Sequence, residues 1–349
     1  MSLPMEPFDE TLLDDAEALA RFDPVLRRLA ESGARVRKEA AAAAEAGPSL
    51  AETPRPRAIV ATGPDARLLR AVLEPWCPVP FVAWPGPNLP GWAGALDLVA
   101  VLAPGGADPG VSSSVVEAVR RGCGLLVAAP RHSIIAEHAA SRATTLLPTQ
   151  SDDGLAVAVV MLQALHHLGL GPEVTAESVA AALDGVALSC SPFQPLGANL
   201  GKDMAIALAD ALPLVWGGSV LAARAGRRVA EALRRTSGRA ALAADAAHLL
   251  PVLTAASRRD LFADPFTTTS LDVYDEERPA LVVLDDGTDD PAVREQRGHL
   301  LHVVEEHDLR AHRIEAREGP DVARYATLLA TGTYAATYLA IGLGRPVTA

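Results

Sequence analysis

The chain has 349 residues, of which 49% are hydrophobic, and a formal net charge of −12. That length and apolar content supply two domains with sizeable cores and exclude a disordered chain. The negative charge opposes phosphate backbones and anionic lipid, so neither nucleic acid nor a membrane surface is expected as a partner.

The three cysteines, Cys77, Cys123 and Cys190, form no CxxC pair and no disulfide framework, which fits a reducing cytosol. The opening residues 1–19 are acidic and carry no basic n-region or apolar h-region, so a cytoplasmic protein is expected. Apolar runs such as Leu155–Leu165 stop well short of a membrane span.

In chain order, residues 8–46 read as helix, with Asp9 or Thr11 as cap and Leu12, Leu13, Ala16, Leu19 and Phe22 at helical spacing. Gly47–Arg57 holds three prolines and marks a boundary. Strands and helices then alternate. The spacing predicts strands at 57–62, 79–84, 96–102, 124–129 and 144–147, and helices at 65–73, 112–121, 132–140 and 154–168. Residues 169–200 are punctuated by Gly and Pro and carry one helix, near 175–183.

A second alternation follows. Helices are predicted at 202–211, 220–235, 246–258, 291–306 and 321–341, and strands at 212–216, 240–244, 280–284 and 311–314. Continuous apolar strands between helices indicate parallel sheets covered on both faces. The expected organisation is an N-terminal helical arm over 1–50, an α/β domain over 51–170, a crossover over 171–200 and a second α/β domain over 201–349. Each domain is expected to be a doubly wound, mostly parallel sheet.

Ligands of such sheets gather at the carboxyl ends of the strands. The turn Gly217-Gly218-Ser219 combines close backbone approach, a hydroxyl and a helix N-terminus, the elements of an anion site; a tight turn with Ser219 as N-cap is the plain alternative. It is expected to hold any bound anion, as the turn without a nearby carboxylate. Arg224, one turn into the next helix, is placed to face a phosphate, whereas Arg227, Arg228, Arg234 and Arg235 beside Glu231 read as a solvated, paired face.

Gly105 and Gly106, in the loop Pro104–Gly110, have the glycines of a phosphate cradle and with Gly63 are the phosphate-binding candidates of the first domain. The loop carries Asp108, a like charge to a phosphate, so a plain flexible loop is the alternative, and Ser112–Ser114 read as caps of the helix that follows. Gly63 is the lone glycine of the first turn, too few for a dinucleotide site, and no cofactor is expected. His166, His167, His299 and His302 have no metal-ligand company, so no metal is expected. The stretch Asp285–Asp290 reads as a solvated acidic turn.

The layout resembles the bifunctional phosphoglucose/phosphomannose isomerase family, whose members carry two tandem sugar-isomerase (SIS) domains. The resemblance rests on Val79-Pro-Phe81 with Leu89-Pro-Gly-Trp92, Glu117–Gly122 and the strand after it, Asn199-Leu-Gly-Lys202 against an NPAK-like segment, Leu212–Gly217 and Tyr334–Gly344. It implies a sugar phosphate or other small anion as ligand and a homodimer, with the stripe Tyr334, Thr337, Tyr338 and Ile341 contributing to the dimer contact.

The family's catalytic positions are changed. Its GMGGS turn is Ala61-Thr-Gly-Pro-Asp65 here, and its SYSGNT phosphate loop is Ala103-Pro-Gly-Gly-Ala-Asp108. Its PR segment falls in Ser151-Asp-Asp-Gly154, and its ring-opening His corresponds to Asp290. There is no HNE segment. The implied function is sugar-phosphate binding with weak or lost isomerase activity, in hexose or mannose phosphate metabolism. Two alternatives stand beside it. One is an active isomerase with a rearranged site, using His248 as ring-opening acid and Asp264 or Glu231 as base. The other is a non-catalytic dimeric interaction protein.

Overall fold

A computed structural model describes residues 8–46, 50, 53–256 and 278–347. The chain divides into two compact units. One comprises Glu31–Asp184 with Gly319–Ala326; the other comprises Met1–Ala30, Gly185–Glu318 and Thr327–Ala349.

The first unit holds a five-stranded, all-parallel sheet of order β2-β1-β3-β4-β5. Its strands are β1 (Ile59–Thr62), β2 (Phe81–Ala83), β3 (Leu98–Leu102), β4 (Gly124–Pro130) and β5 (Thr144–Thr149). Every residue of β1 and β3 is buried, as a sheet covered on both faces requires. Register runs Val60↔Val99 and Val99↔Leu125, so the valines and leucines stack into one core with Val111 and Val115 behind them.

Of the helices, α1 (Ala16–Ala30) counts with the other unit, while α2 (Ser32–Ala43), α3 (Ala66–Leu73), α4 (Pro109–Arg120), α5 (Ile134–His138), α6 (Gly154–His167) and most of α7 (Ala176–Ser189) belong to this one. The helices read as a single N-terminal arm are thus shared out. Helix α6 carries Val157, Val159, Val160, Met161 and Leu162, each 1% exposed or less. Burial of each such side chain stabilises by roughly 1.5–3 kcal/mol. That outweighs the few tenths of a kcal/mol by which valine disfavours helix.

Helix α2 packs on α6. At Gly33 a Cβ would lie 2.7 Å from the Ala180 carbonyl oxygen. Arg37 binds Glu177 and Asp184 at 2.8 Å each, which fixes α7 beside α2. Two boundaries differ from the sequence reading. Helix α4 begins at Pro109, because Asp108 accepts the Val111 N–H and Pro109 presets the first turn; Ser112–Ser114 lie inside the helix and do not cap it. Helix α7 continues through Gly185 to Ser189.

The second unit holds a four-stranded parallel sheet of order β7-β6-β8-β9. Its strands are β6 (Ala211–Gly217), β7 (Leu242–Ala243), β8 (Arg278–Asp285) and β9 (Arg310–Glu315); its helices are α8 (Leu200–Ala207), α9 (Val220–Ser237), α10 (Ala246–Thr254), α11 (Pro291–Glu306) and the greater part of α12 (Asp321–Gly342). Leu214, Trp216, Leu249, Leu253, Leu281, Val283 and Leu300 form its core.

Lys202 is fully buried in this unit. Its Nζ donates to Asp14 at 2.6 Å and to the Pro192 and Gln194 carbonyls at 3.1 Å each, and it lies 5.7 Å from the centre of the Tyr338 ring. Asn199 caps α8 by accepting the Gly201 and Lys202 N–H groups. The stripe assigned to a dimer contact is instead interior. Tyr334, Thr337, Tyr338 and Ile341 are each 2% exposed or less within the chain, because Gly201 lets both tyrosines approach α8.

Candidate functional site

In both sheets the strand order reverses between a central pair, β1/β3 and β6/β8, and the crevice for a ligand opens at the carboxyl ends of those strands. In the first unit the crevice is bounded by the turn after β1 and the loop after β3. Gly63 has φ +113°, and a Cβ there would lie 2.0 Å from the Leu102 carbonyl oxygen. This glycine is therefore required by close packing of the turn against β3. Gly106 has φ +66° and presses on Ser133. Its N–H donates to the Ala103 carbonyl and its own carbonyl accepts from Ile135, so the loop spends these groups on its own turn. Gly105 faces open space.

Three carboxylates surround this edge. Asp65 is buried beside Gly154, Asp108 caps α4, and Asp153 caps α6. Arg35 Nε reaches Asp153 at 2.9 Å from α2. An arginine thus arrives at the segment where the family carries one, but it comes from a different element and is held by a carboxylate.

In the second unit the turn Gly217-Gly218-Ser219 has the expected strand–turn–helix geometry, with Ser219 capping α9 through the Ala222 N–H at 3.0 Å. Its glycines are explained by space. A Cβ on Gly217 would meet the Ala222 backbone at 2.3 Å, and one on Gly218 would meet Val293 at 2.2 Å. The expectation that no carboxylate lies near is overturned: the Ser219 hydroxyl donates to Asp286, which follows β8.

The stretch read as a solvated acidic turn is also corrected. Asp285 and Asp286 are 5% and 8% exposed. Arg297 and Arg317 donate to Asp285 Oδ2 at 2.9 and 3.0 Å, and Arg313 donates to the same oxygen. Burial works to raise the Asp285 carboxyl; the Arg313, Gly287 N–H and Arg317 hydrogen bonds overcome it and hold the group at about 2. Asp290, at the family's ring-opening position, accepts the Ala292 N–H as the N-cap of α11.

Two of the three catalytic candidates, His248 and Glu231, lie among the described residues. His248 is exposed on α10. Glu231 pairs with Arg228 at 3.1 Å and Arg235 at 3.9 Å. It lies about 18 Å along α9 from Ser219, at 1.5 Å per residue. Asp264 falls outside the described residues. Arg224 is half-buried on α9 and already partnered.

Among the described residues, no group of three His, Cys, Asp or Glu side chains is placed to hold a metal ion. Burial pushes the Cys123 and Cys190 thiols up, Cys190 to about 11, which leaves them protonated and unreactive. Among the described residues, no helix is long and apolar enough to cross a membrane.

Comparison with known proteins places this architecture. Residues 198–347 match the family described as Bacterial phospho-glucose isomerase C-terminal SIS domain. None of the curated proteins matches the sequence. Among solved structures the chain is similar to tagatose-6-phosphate ketose/aldose isomerase from Escherichia coli (14% identity, 94% of each chain covered, TM-score 0.63). It is also similar to the C-terminal domain of glucosamine-fructose-6-phosphate aminotransferase from Francisella tularensis (12% identity, 91% of this chain and 96% of that one, TM-score 0.60). A third is a glucose-6-phosphate isomerase like protein from Thermus thermophilus (17% identity, 87% of this chain and 89% of that one, TM-score 0.50).

The two parallel sheets and their helices are thus the tandem SIS fold of phosphosugar isomerases. The match over residues 198–347 agrees with the resemblance in the chain's motifs: that segment is similar to the SIS domain of bacterial phosphoglucose isomerases.

Proposed function

We propose that this protein binds a hexose phosphate weakly and does not isomerise it, working as a cytoplasmic homodimer in hexose or mannose phosphate metabolism. The fold supports the ligand class. The observation that carries the loss of activity is the carboxylate at each crevice: Ser219 is hydrogen-bonded to Asp286, and Asp65, Asp108 and Asp153 gather at the other sheet. A phosphate dianion in either place meets like charge, and the Ser219 hydroxyl of one turn and the Gly106 N–H of the other are already engaged. Isomerisation further needs a ring-opening acid and a base for the proton moved between C1 and C2. Asp290 is an N-cap, and neither His248 nor Glu231 has a partner for that work within the site.

Titration calorimetry with fructose 6-phosphate tests the reading. The expected dissociation constant is on the order of 1 mM. Low-micromolar binding contradicts a crevice of carboxylates, and no heat at tens of millimolar contradicts the ligand class.

A further inference from the structure

A cavity of about 460 Å³ lies at the carboxyl ends of β4 and β5, on the β5 edge of the first unit's sheet. Its walls are Ala42 and Glu45 from the α2 end, Pro130, Arg131 and His132 after β4, and Pro148, Thr149 and Gln150 at the end of β5. The volume falls in the range of small-molecule sites.

Two buried polar atoms at this wall have no hydrogen-bond partner. Thr149 is 4% exposed and its hydroxyl oxygen is unpaired. Glu39 is fully buried; its Oε2 accepts the Gln150 N–H at 2.8 Å, and its Oε1 is unpaired. Glu39 and Ala42 are three residues apart on α2 and share a face, so the carboxylate stands directly behind the lining. Buried polar groups left unpaired are costly and rare; here Thr149 lines the cavity and Glu39 is bonded to the next lining residue, Gln150.

We infer that this cavity is a binding site for an uncharged polyhydroxylated molecule, a free sugar or sugar-like polyol. Glu39 Oε1 needs a donor and Thr149 accepts or donates, which a hydroxyl satisfies and an apolar group does not. At the mouth, Arg131 binds Glu45 at 2.5 Å, and with His132 and the Gln150 amide it offers the planar polar groups that hydrogen-bond vicinal hydroxyls. Charge selects against a phosphate. The arginine of the lining is already paired with Glu45, which leaves it less able to hold a dianion. This site is independent of the weak phosphate binding proposed above.

Saturation-transfer NMR on the full chain with D-glucose, D-mannose and D-fructose, each beside its 6-phosphate, tests the assignment. Transfer is expected to at least one free sugar. Its affinity is expected to exceed that of the matching 6-phosphate at this site several-fold and to fall about tenfold in Glu39→Gln and in Thr149→Val. Thr149→Val is the control for a merely structural role. Removing an unpaired buried hydroxyl raises the melting temperature, so weaker binding in a more stable protein has no folding explanation. Ala42→Trp fills the cavity and is expected to abolish free-sugar transfer while leaving phosphate binding elsewhere unchanged. The inference is overturned by no transfer to any free sugar, by equal binding in all three variants, or by tighter binding of the 6-phosphates that Ala42→Trp removes.

Discussion

The Ser219 hydroxyl, at the first residue before α9, donates its hydrogen to the Asp286 carboxylate that follows β8. The two residues are 67 positions apart in sequence and face each other across the point where the strand order of the second sheet reverses. The turn expected to receive an anion therefore holds a side-chain carboxyl of its own. Asp286→Asn removes the charge and keeps the shape. We expect affinity for fructose 6-phosphate or sulfate to rise about tenfold in calorimetry. Unchanged affinity excludes this turn as the place where phosphate is refused.

Asp285 gathers Arg297, Arg313 and Arg317, and its carboxyl is held at about 2. The folded-state value lies below the unfolded value of 3.8, so this stabilisation is present above pH 4 and is lost as pH falls through 2. It amounts to roughly 2 kcal/mol. Urea unfolding between pH 5 and pH 2 is expected to show that loss, and Asp285→Asn to flatten it. Equal slopes in the two proteins count against the cluster.

Lys202 ties Asp14, two loop carbonyls and the Tyr338 ring to one ammonium. Lys202→Met leaves the carbonyls of Pro192 and Gln194 without their donor. Destabilisation of about 2 kcal/mol or more is expected, read as a lower denaturant midpoint. A midpoint within error of the parent shows that the ammonium contributes nothing net.

Gly63→Ala tests the closeness of the first crevice. The substitution sets a Cβ against the Leu102 carbonyl at a backbone φ of +113°. A loss of about 2 kcal/mol or more is expected in thermal melts. A neutral substitution means that the turn has room to move.

Much of the fold is legible in the sequence because its signals are local. Leu98–Leu102 is a continuous apolar run, and Gly217–Ser219 is a strand–turn–helix junction that the chain spells out in order. The character of the site is not local. Arg35 reaches Asp153 across 118 residues, and Asp286 meets Ser219 across 67, and neither pairing leaves a trace in spacing or composition. The run Asp285–Asp290 reads as solvated turn by its residue types alone; only the arginines converging from α11 and from β9 and the segment after it explain how Asp285 is buried. The Tyr334–Ile341 stripe shows the converse limit. An apolar face announces burial, and the sequence does not say against what.

The altered crevices are not expected to support aldose–ketose isomerisation. A coupled assay on fructose 6-phosphate with the purified full chain, reading glucose 6-phosphate and mannose 6-phosphate separately, tests it most directly. The expected result is no turnover above trace in either channel. Turnover of about one per second or faster, abolished by His248→Ala or Asp264→Ala, contradicts the account and assigns the chain a rearranged active site.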